Sequence, residues 1–105
     1  HKGTLDNSGY TCAVLGSGVD ICYPACNIGL FTDIKKTGGV MSEYPAGVKP
    51  VCGQFPERNR LISGLSDAVV VVEARAKSGS LITVDQALEQ NKDVYVIRES
   101  WRFIK

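Results

Sequence analysis

The sequence has little of what several classes of protein require. Its one histidine is the first residue, its four cysteines include no C-x-x-C pair, and 12 Lys and Arg residues barely exceed 11 Asp and Glu. A Ser–His–Asp triad, a zinc site and a globally basic nucleic-acid-binding protein are therefore not indicated, although the balance of charge still allows a local basic patch. The longest apolar run, residues 68–72, is too short to span a membrane, and no apolar signal segment follows His1. With no secretion signal, we expect reduced thiols and a cytoplasmic location.

The length and the apolar pattern indicate one α/β domain. The 105 residues, of which 44% are hydrophobic and 22% charged, suit a single globular domain. Four apolar runs are predicted to be strands, at residues 11–15, 40–43, 68–73 and 94–97. The runs are continuous rather than alternating, which is typical of parallel strands buried on both faces.

Three segments between these runs are predicted to be helices. They cover residues 27–36, ended by glycines 38 and 39; residues 57–65, begun by Pro56; and residues 80–90, begun by a capping Ser80. Alternating strands and helices form right-handed βαβ crossovers. The predicted fold is a three-layer, Rossmann-like open parallel sheet with helices on both faces, as one domain over residues 1–105.

Candidate site residues follow the strands, because ligands bind at the carboxyl ends of an open parallel sheet. These residues are Gly16, Ser17 and Gly18; Glu43 and Tyr44; and Arg75, Lys77, Ser78, Gly79 and Ser80. The Gly16–Gly18 segment is open to two interpretations, the start of a dinucleotide-binding loop or a plain tight turn. The third glycine of the dinucleotide motif is missing and Glu43 fits its acidic position poorly. Dinucleotide redox chemistry is therefore disfavoured, and no cofactor is predicted.

The segment before the third predicted helix favours binding of an anion. Lys77, Ser78, Gly79 and Ser80 combine small residues, hydroxyl groups and a cation at a helix N-terminus, where backbone N–H groups and the helix dipole attract phosphate. A plain helix cap would explain Ser80 alone, but it explains the flanking Arg75 and Lys77 less well.

The segment at residues 55–60 supplies an aromatic ring and two arginines. Phe55 could stack on a base, as in single-strand-binding proteins, while Arg58 points into the crevice and Arg60 pairs elsewhere. In the alternative interpretation, Phe55 is a hydrophobic staple and both arginines are solvated. Only the joint presence of the phosphate site, the arginines and the aromatic ring favours nucleic acid.

Ordered motifs over most of residues 1–97 resemble the DNA-processing protein A family (DprA, also called Smf). They are TCAVLGSGVD (11–20), Tyr23-Pro24 with Asn27, MSEYP (41–45), FPERNRLISGLS (55–66) and KSGSLIT (77–83). The resemblance implies a cytoplasmic bacterial protein that binds single-stranded DNA, loads a RecA-type recombinase during natural transformation and recombination, and commonly forms a homodimer. It implies no catalytic role and no metal.

The same resemblance implies roles for particular residues. Phe55, Arg58 and Arg60 would lie at or near the DNA pocket, and Gly16, Ser17, Ser78, Gly79 and Ser80 would form or support its phosphate-facing wall. Two departures from the family lead us to expect a partial domain. An upstream strand with a Gly-Ser-Arg loop is missing, so that residues 1–5 read as the end of a helix, and residues 98–105 replace the usual Pro-Gly turn with a divergent tail.

Two alternative functions remain open at the level of sequence. Nucleotide phosphoribohydrolases of the lysine-decarboxylase-like group share the predicted architecture, but Thr83 stands where their catalytic glutamate is expected. A threonine cannot supply a carboxylate, which argues for binding without catalysis. The third possibility is an interaction module without a ligand, which the near-neutral charge would suit.

Overall fold

The computed structural model describes residues 1–74 and 79–97. The elements in chain order are α1 (Lys2–Asp6), β1 (Cys12–Val14), a 3-10 turn (Ala25–Asn27), α2 (Ile28–Thr37), β2 (Gly39–Met41), α3 (Gln54–Gly64), β3 (Ala68–Val71), α4 (Gly79–Glu89) and β4 (Asp93–Val96). The chain forms two compact units, residues 1–58 and the residues from 59 onward. The single-domain assignment stays a prediction, and the predicted tail at 98–105 lies outside the described residues.

The first unit is built on the parallel pair β1–β2. Its register places Cys12 opposite Gly39 and Val14 opposite Met41. The connecting α2 packs against β2, and its buried Phe31 and Ile34 form the core of this unit. The predicted helix at 27–36 is thus confirmed with a shift of one residue, and so is the helix expected at the start of the chain, as α1.

Gly38 ends α2 because no larger residue fits there. A Cβ atom at this position would collide with the Thr11 carbonyl oxygen, a backbone atom that cannot turn aside. The backbone N–H of Gly38 donates to the Ile34 carbonyl at 2.7 Å, and that of Gly39 donates to the Thr11 carbonyl at 3.1 Å. The helix therefore ends directly against the beginning of β1, and β2 starts at once.

The second unit is built on the parallel pair β3–β4, with Ala68 opposite Asp93 and Val71 opposite Val96. The connecting α4 packs against both strands, and its Ala87 is fully buried. Two parallel strand–helix–strand units confirm the α/β class with parallel strands.

The expectation that the apolar strands are buried on both faces is wrong for β3 and β4. Val71 is 5% exposed, whereas its neighbour Val70 is 56% exposed and Tyr95 on β4 is 57% exposed. Successive side chains of a strand point to opposite faces, so this pair buries one face and leaves the other open among the described residues. A run of valines makes both faces of a strand suitable for burial. Which face is covered depends on the elements that pack against it.

Two helix starts differ from the predictions. α3 begins at Gln54 rather than after Pro56, because a proline in the first helical turn gives up an N–H that would have no helical partner. α4 begins at Gly79, so that Ser80 lies inside the first turn and is not the capping residue. Within residues 1–74 and 79–97, no helix has the length and the apolar character to cross a membrane.

Candidate functional site

The glycine-containing turn that follows β1 is buried rather than open. Gly16, Ser17 and Gly18 are all buried, and Ser17 is only 3% exposed. The Gly18 N–H donates to the Val48 carbonyl at 2.9 Å. The chain enters no helix until Ala25, whereas a dinucleotide-binding loop leads directly into one. The structure therefore favours the plain-turn interpretation of this segment.

The loop between β2 and α3 holds this turn in place through side chains. The Ser42 hydroxyl donates to the Ser17 carbonyl at 2.6 Å. The Asp20 carboxylate accepts a hydrogen bond of 2.7 Å from the backbone N–H of Gly47, whose φ of +87° suits glycine. These bonds join residues 25 and 27 positions apart in the chain, so they attach the turn to the loop.

Gln54, the first residue of α3, makes the third connection to the turn. Its side-chain amide donates to the Gly16 carbonyl and, at 3.1 Å, to the Lys49 carbonyl. Gln54 is not among the predicted site residues, and no local signal marks its role, because Gly16 lies 38 residues away in the chain. The amide fixes the start of α3 to the turn after β1.

Phe55 and Arg58 meet on α3, next to the same turn. A Cβ atom at Gly16 would lie 2.8 Å from the Phe55 ring, so the ring packs directly against the glycine backbone. The Arg58 guanidinium carbon is 5.5 Å from the centre of that ring, within the range of a cation–π contact. Arg58 Nη1 also donates to the Val14 carbonyl at 2.7 Å, at the end of β1. The arginine is thus held in one orientation by a ring and a carbonyl.

Burial lowers the pKa of the Arg58 guanidinium from its ordinary value, and the electrostatic effect of Tyr44 partly offsets this. The same burial removes part of the hydration of this cation. A partly desolvated cation of this kind gains from the approach of an anion, because the anion restores the lost charge stabilisation.

Tyr44, one of the predicted candidates after β2, braces the first turn of α3. Its hydroxyl donates to Glu57 Oε2 at 2.5 Å, and its backbone N–H donates to the Ser42 hydroxyl at 3.0 Å. Glu43 beside it is exposed. Tyr44 therefore links the loop to the helix that carries Phe55 and Arg58.

The first unit also contains a cleft of about 180 Å³. Apolar side chains of β1 and α2 line it, together with Tyr23, Asn27 and Arg58. The centres of the Tyr23 and Phe55 rings are 5.9 Å apart, and the ring planes are inclined by 32° to each other. Arg58 thus takes part both in the packing beside the turn and in the wall of the cleft.

The remaining predicted residues belong to the second unit. Arg60 is exposed, and its carbonyl accepts a hydrogen bond of 3.0 Å from the Gln90 amide. Gly79 and Ser80 are exposed in the first turn of α4, and Ser80 lines an open cleft of about 320 Å³ with Glu73 and Thr83. Arg75, Lys77 and Ser78 lie outside the described residues.

Of the residues predicted to form or support the DNA pocket, four lie in the first unit, where Phe55 contacts both Gly16 and Arg58 and Ser17 follows Gly16 in the same turn. Arg60, Gly79 and Ser80 are described in the second unit. All four cysteines carry free thiols. No three His, Cys, Asp or Glu side chains within residues 1–74 and 79–97 are grouped as metal ligands would be.

Comparison with known proteins gives consistent results. The family described as DNA recombination-mediator protein A matches residues 1–103. Protein Smf of Synechocystis sp. is 51% identical over 100 residues, which cover 95% of this chain and 25% of that protein. DNA processing protein DprA of Streptococcus pneumoniae is 45% identical over 97 residues, covering 92% of this chain and 34% of that protein.

Solved structures agree with these sequence matches. The X-ray structure of Streptococcus pneumoniae DprA superposes with a TM-score of 0.83 at 43% identity, over 91% of this chain and 34% of that chain. DNA processing protein A from Helicobacter pylori, described for its single-stranded DNA binding mode, superposes with a TM-score of 0.79 at 34% identity, over 82% and 40% of the two chains. These superpositions confirm the Rossmann-like fold. The chain spans about a quarter to a third of the length of its sequence relatives.

Proposed function

Because the chain belongs to the DNA recombination-mediator protein A family, we propose that it binds single-stranded DNA and does so without acting as an enzyme. The protein that contains it would load a RecA-type recombinase during DNA uptake, natural transformation and recombination. We propose that it works in the cytoplasm. A second copy of the same protein is a further proposed partner.

The observation that carries this proposal is the arrangement of Arg58. Its guanidinium is half-buried, oriented by the Val14 carbonyl and the Phe55 ring, and part of the wall of a cleft. A cation held in one orientation loses little side-chain entropy when it meets a phosphate. Single-strand-binding sites combine such cations with aromatic rings. Gly16 and Ser17 would support this wall from beneath, since their backbone is held by other residues and Ser17 is buried.

The other predicted residues would add separate contacts in the second unit. Arg60, Gly79 and Ser80 are exposed, and Lys77 and Ser78 precede the same helix in the sequence. Exposed cations and the N–H groups of a helix N-terminus attract phosphate groups in a sequence-independent manner. We propose that these residues contact the sugar–phosphate backbone of the DNA.

The test measures the affinity of the chain for a short labelled oligo-dT by fluorescence anisotropy, at low and at moderate salt. We expect binding that weakens as salt rises, because phosphate contacts release counterions. The substitution Arg58→Ala should weaken binding by about 1–3 kcal/mol, as expected for a charge-assisted contact. Lys36→Ala, which removes an exposed charge at the end of α2, is the matched control and should change little.

Two results would contradict the proposal. Equal losses in Arg58→Ala and Lys36→Ala would indicate general charge attraction rather than a site. Release of a free base from a nucleoside monophosphate would favour the phosphoribohydrolase alternative instead. A thermal melt of each variant separates loss of binding from loss of folding.

A further inference from the structure

The aromatic pair beside Arg58 has one shielded ring and one open ring. Phe55 is half-buried, with Gly16 packed against its ring and the Arg58 guanidinium 5.5 Å from its centre. Tyr23, 5.9 Å away, is 64% exposed. The two rings are tilted by 32°, and the distance of 5.9 Å between their centres is within the range of aromatic pairs. Phe55 therefore supports its neighbours, whereas Tyr23 presents ring surface to the solvent.

Exposure alone would say little about Tyr23, because single apolar side chains are often found at protein surfaces. Tyr10 is even more exposed, at 72%. What distinguishes Tyr23 is its surroundings: it contacts Phe55, and it lines the cleft of about 180 Å³ together with the Arg58 cation and the Asn27 amide. At about 180 Å³, the cleft is smaller than the roughly 300–1,000 Å³ of typical small-molecule pockets.

We propose that Tyr23 is the residue on which a base of the bound single strand stacks. This inference rests on the proposed function and names the aromatic contact within it. The ring of Tyr23 would meet the face of the base, while Arg58 would attract the adjacent phosphate. Every base has a π-face, so a tyrosine in this position binds any sequence, as a protein that handles incoming DNA requires. Phe55 acts as a positioning residue that holds Tyr23 and Arg58 side by side.

The experiment compares two labelled oligonucleotides with the same number of phosphates, an oligo-dT and an abasic strand of equal length. Tyr23→Ala should bind the oligo-dT about 5- to 150-fold more weakly than the unaltered chain, which corresponds to the loss of one stacked base. Its affinity for the abasic strand should be unchanged, since the phosphate contacts remain. Tyr23→Trp should restore oligo-dT binding, because it keeps an aromatic surface.

Tyr10→Ala is the matched control, since it removes a tyrosine that is even more exposed but lies outside the cleft. Tyr23→Leu keeps an apolar side chain without a π-system, and thermal melts should show that each variant folds. Oligo-dT binding in Tyr23→Ala equal to that in Tyr10→Ala would overturn the inference alone. Equal weakening on both strands would assign Tyr23 a structural role and would overturn it as well. Absence of salt-sensitive binding by the unaltered chain would overturn the proposed function together with the inference.

Discussion

The turn after β1 and the first turn of α4 are made of the same residue types, glycine and serine, but are packed in opposite ways. In the first unit, Ser17 is 3% exposed, and its carbonyl accepts a hydrogen bond from Ser42. In the second unit, Gly79 and Ser80 are exposed at the beginning of a helix. The comparison shows that a small-residue segment serves either as a tightly packed support or as an accessible surface, depending on what packs against it.

The side-chain connections of the two units also differ. In the first unit, Gln54 donates to two loop carbonyl groups and Tyr44 donates to Glu57. In the second unit, the exposed Gln90 accepts a hydrogen bond of 2.8 Å from the fully buried Ser63 and donates to the Arg60 carbonyl. The first unit thus holds an irregular loop in place, whereas the second joins the ends of two helices.

The largest expected difference between the units is in how much a glycine-to-alanine substitution changes the free energy of unfolding. In Gly18→Ala, the new Cβ would lie 2.6 Å from the Pro45 carbonyl oxygen and 2.9 Å from the Gly47 nitrogen, both backbone atoms. We expect the free energy of unfolding to fall by about 2–3 kcal/mol, as in overpacked cores. In Gly79→Ala, nothing lies within 4 Å of the new atom, so stability should be unchanged or rise by up to about 1 kcal/mol through better helix propensity. Urea denaturation measures both, and equal losses would contradict the comparison.

An intermediate difference in the free energy of unfolding is expected when Gln54 or Gln90 is replaced by alanine. Gln54→Ala should lower the free energy of unfolding by about 1–2 kcal/mol, because the Gly16 carbonyl loses its donor in a buried turn. Gln90→Ala should cost less than about 1 kcal/mol, since Gln90 is exposed and Ser63 keeps a bond of 3.3 Å to the Arg60 carbonyl. Thermal and urea unfolding of both variants would check this.

Gln54→Glu provides a sharper version of the same experiment. It keeps the shape of the side chain but turns a carboxylate oxygen toward two carbonyl oxygens, so it should be less stable than Gln54→Ala. If Gln54→Glu were as stable as the unaltered chain, the amide would not be the donor that the structure describes.

The smallest expected difference in the free energy of unfolding is between variants that lose the hydroxyl of Tyr44 or of Tyr95. Tyr44→Phe should lower the free energy of unfolding by about 1 kcal/mol, because it removes the donor to the Glu57 carboxylate. Tyr95→Phe, on the open face of β4, should stay within about 0.5 kcal/mol of the unaltered chain, as surface substitutions usually do. A stability loss in Tyr95→Phe as large as in Tyr44→Phe would contradict this contrast.

Local sequence patterns predicted part of the candidate site. Phe55 and Arg58 are three positions apart on a helix, a spacing that brings side chains to the same face, and the structure places them in contact. The contact between Gly16 and Phe55 and the hydrogen bond from Gln54 could not be predicted in this way. They join residues about forty positions apart, and their formation depends on how the loop before α3 returns to β1.

The open face of β3 and β4 is a second feature that local sequence did not predict. Four consecutive valines predicted the strand, but the pattern could not show that Val70 is exposed while Val71 is buried. Val70 and Val71 are the same residue type and therefore have the same β-propensity. The neighbours that cover one face are set by packing, not by the run itself.

The sequence by itself determined the order of strands and helices, the end of α2 at Gly38 and the family of the chain. These features depend on apolar periodicity, on residues with special backbone freedom and on motifs that are local in the chain. The tertiary structure decided which serines are buried, which ring of the Tyr23–Phe55 pair faces solvent and which carbonyl groups orient Arg58 and receive Gln54. Burial and hydrogen bonding between distant segments arise only when the chain has packed, because each depends on atoms that the local sequence does not contain.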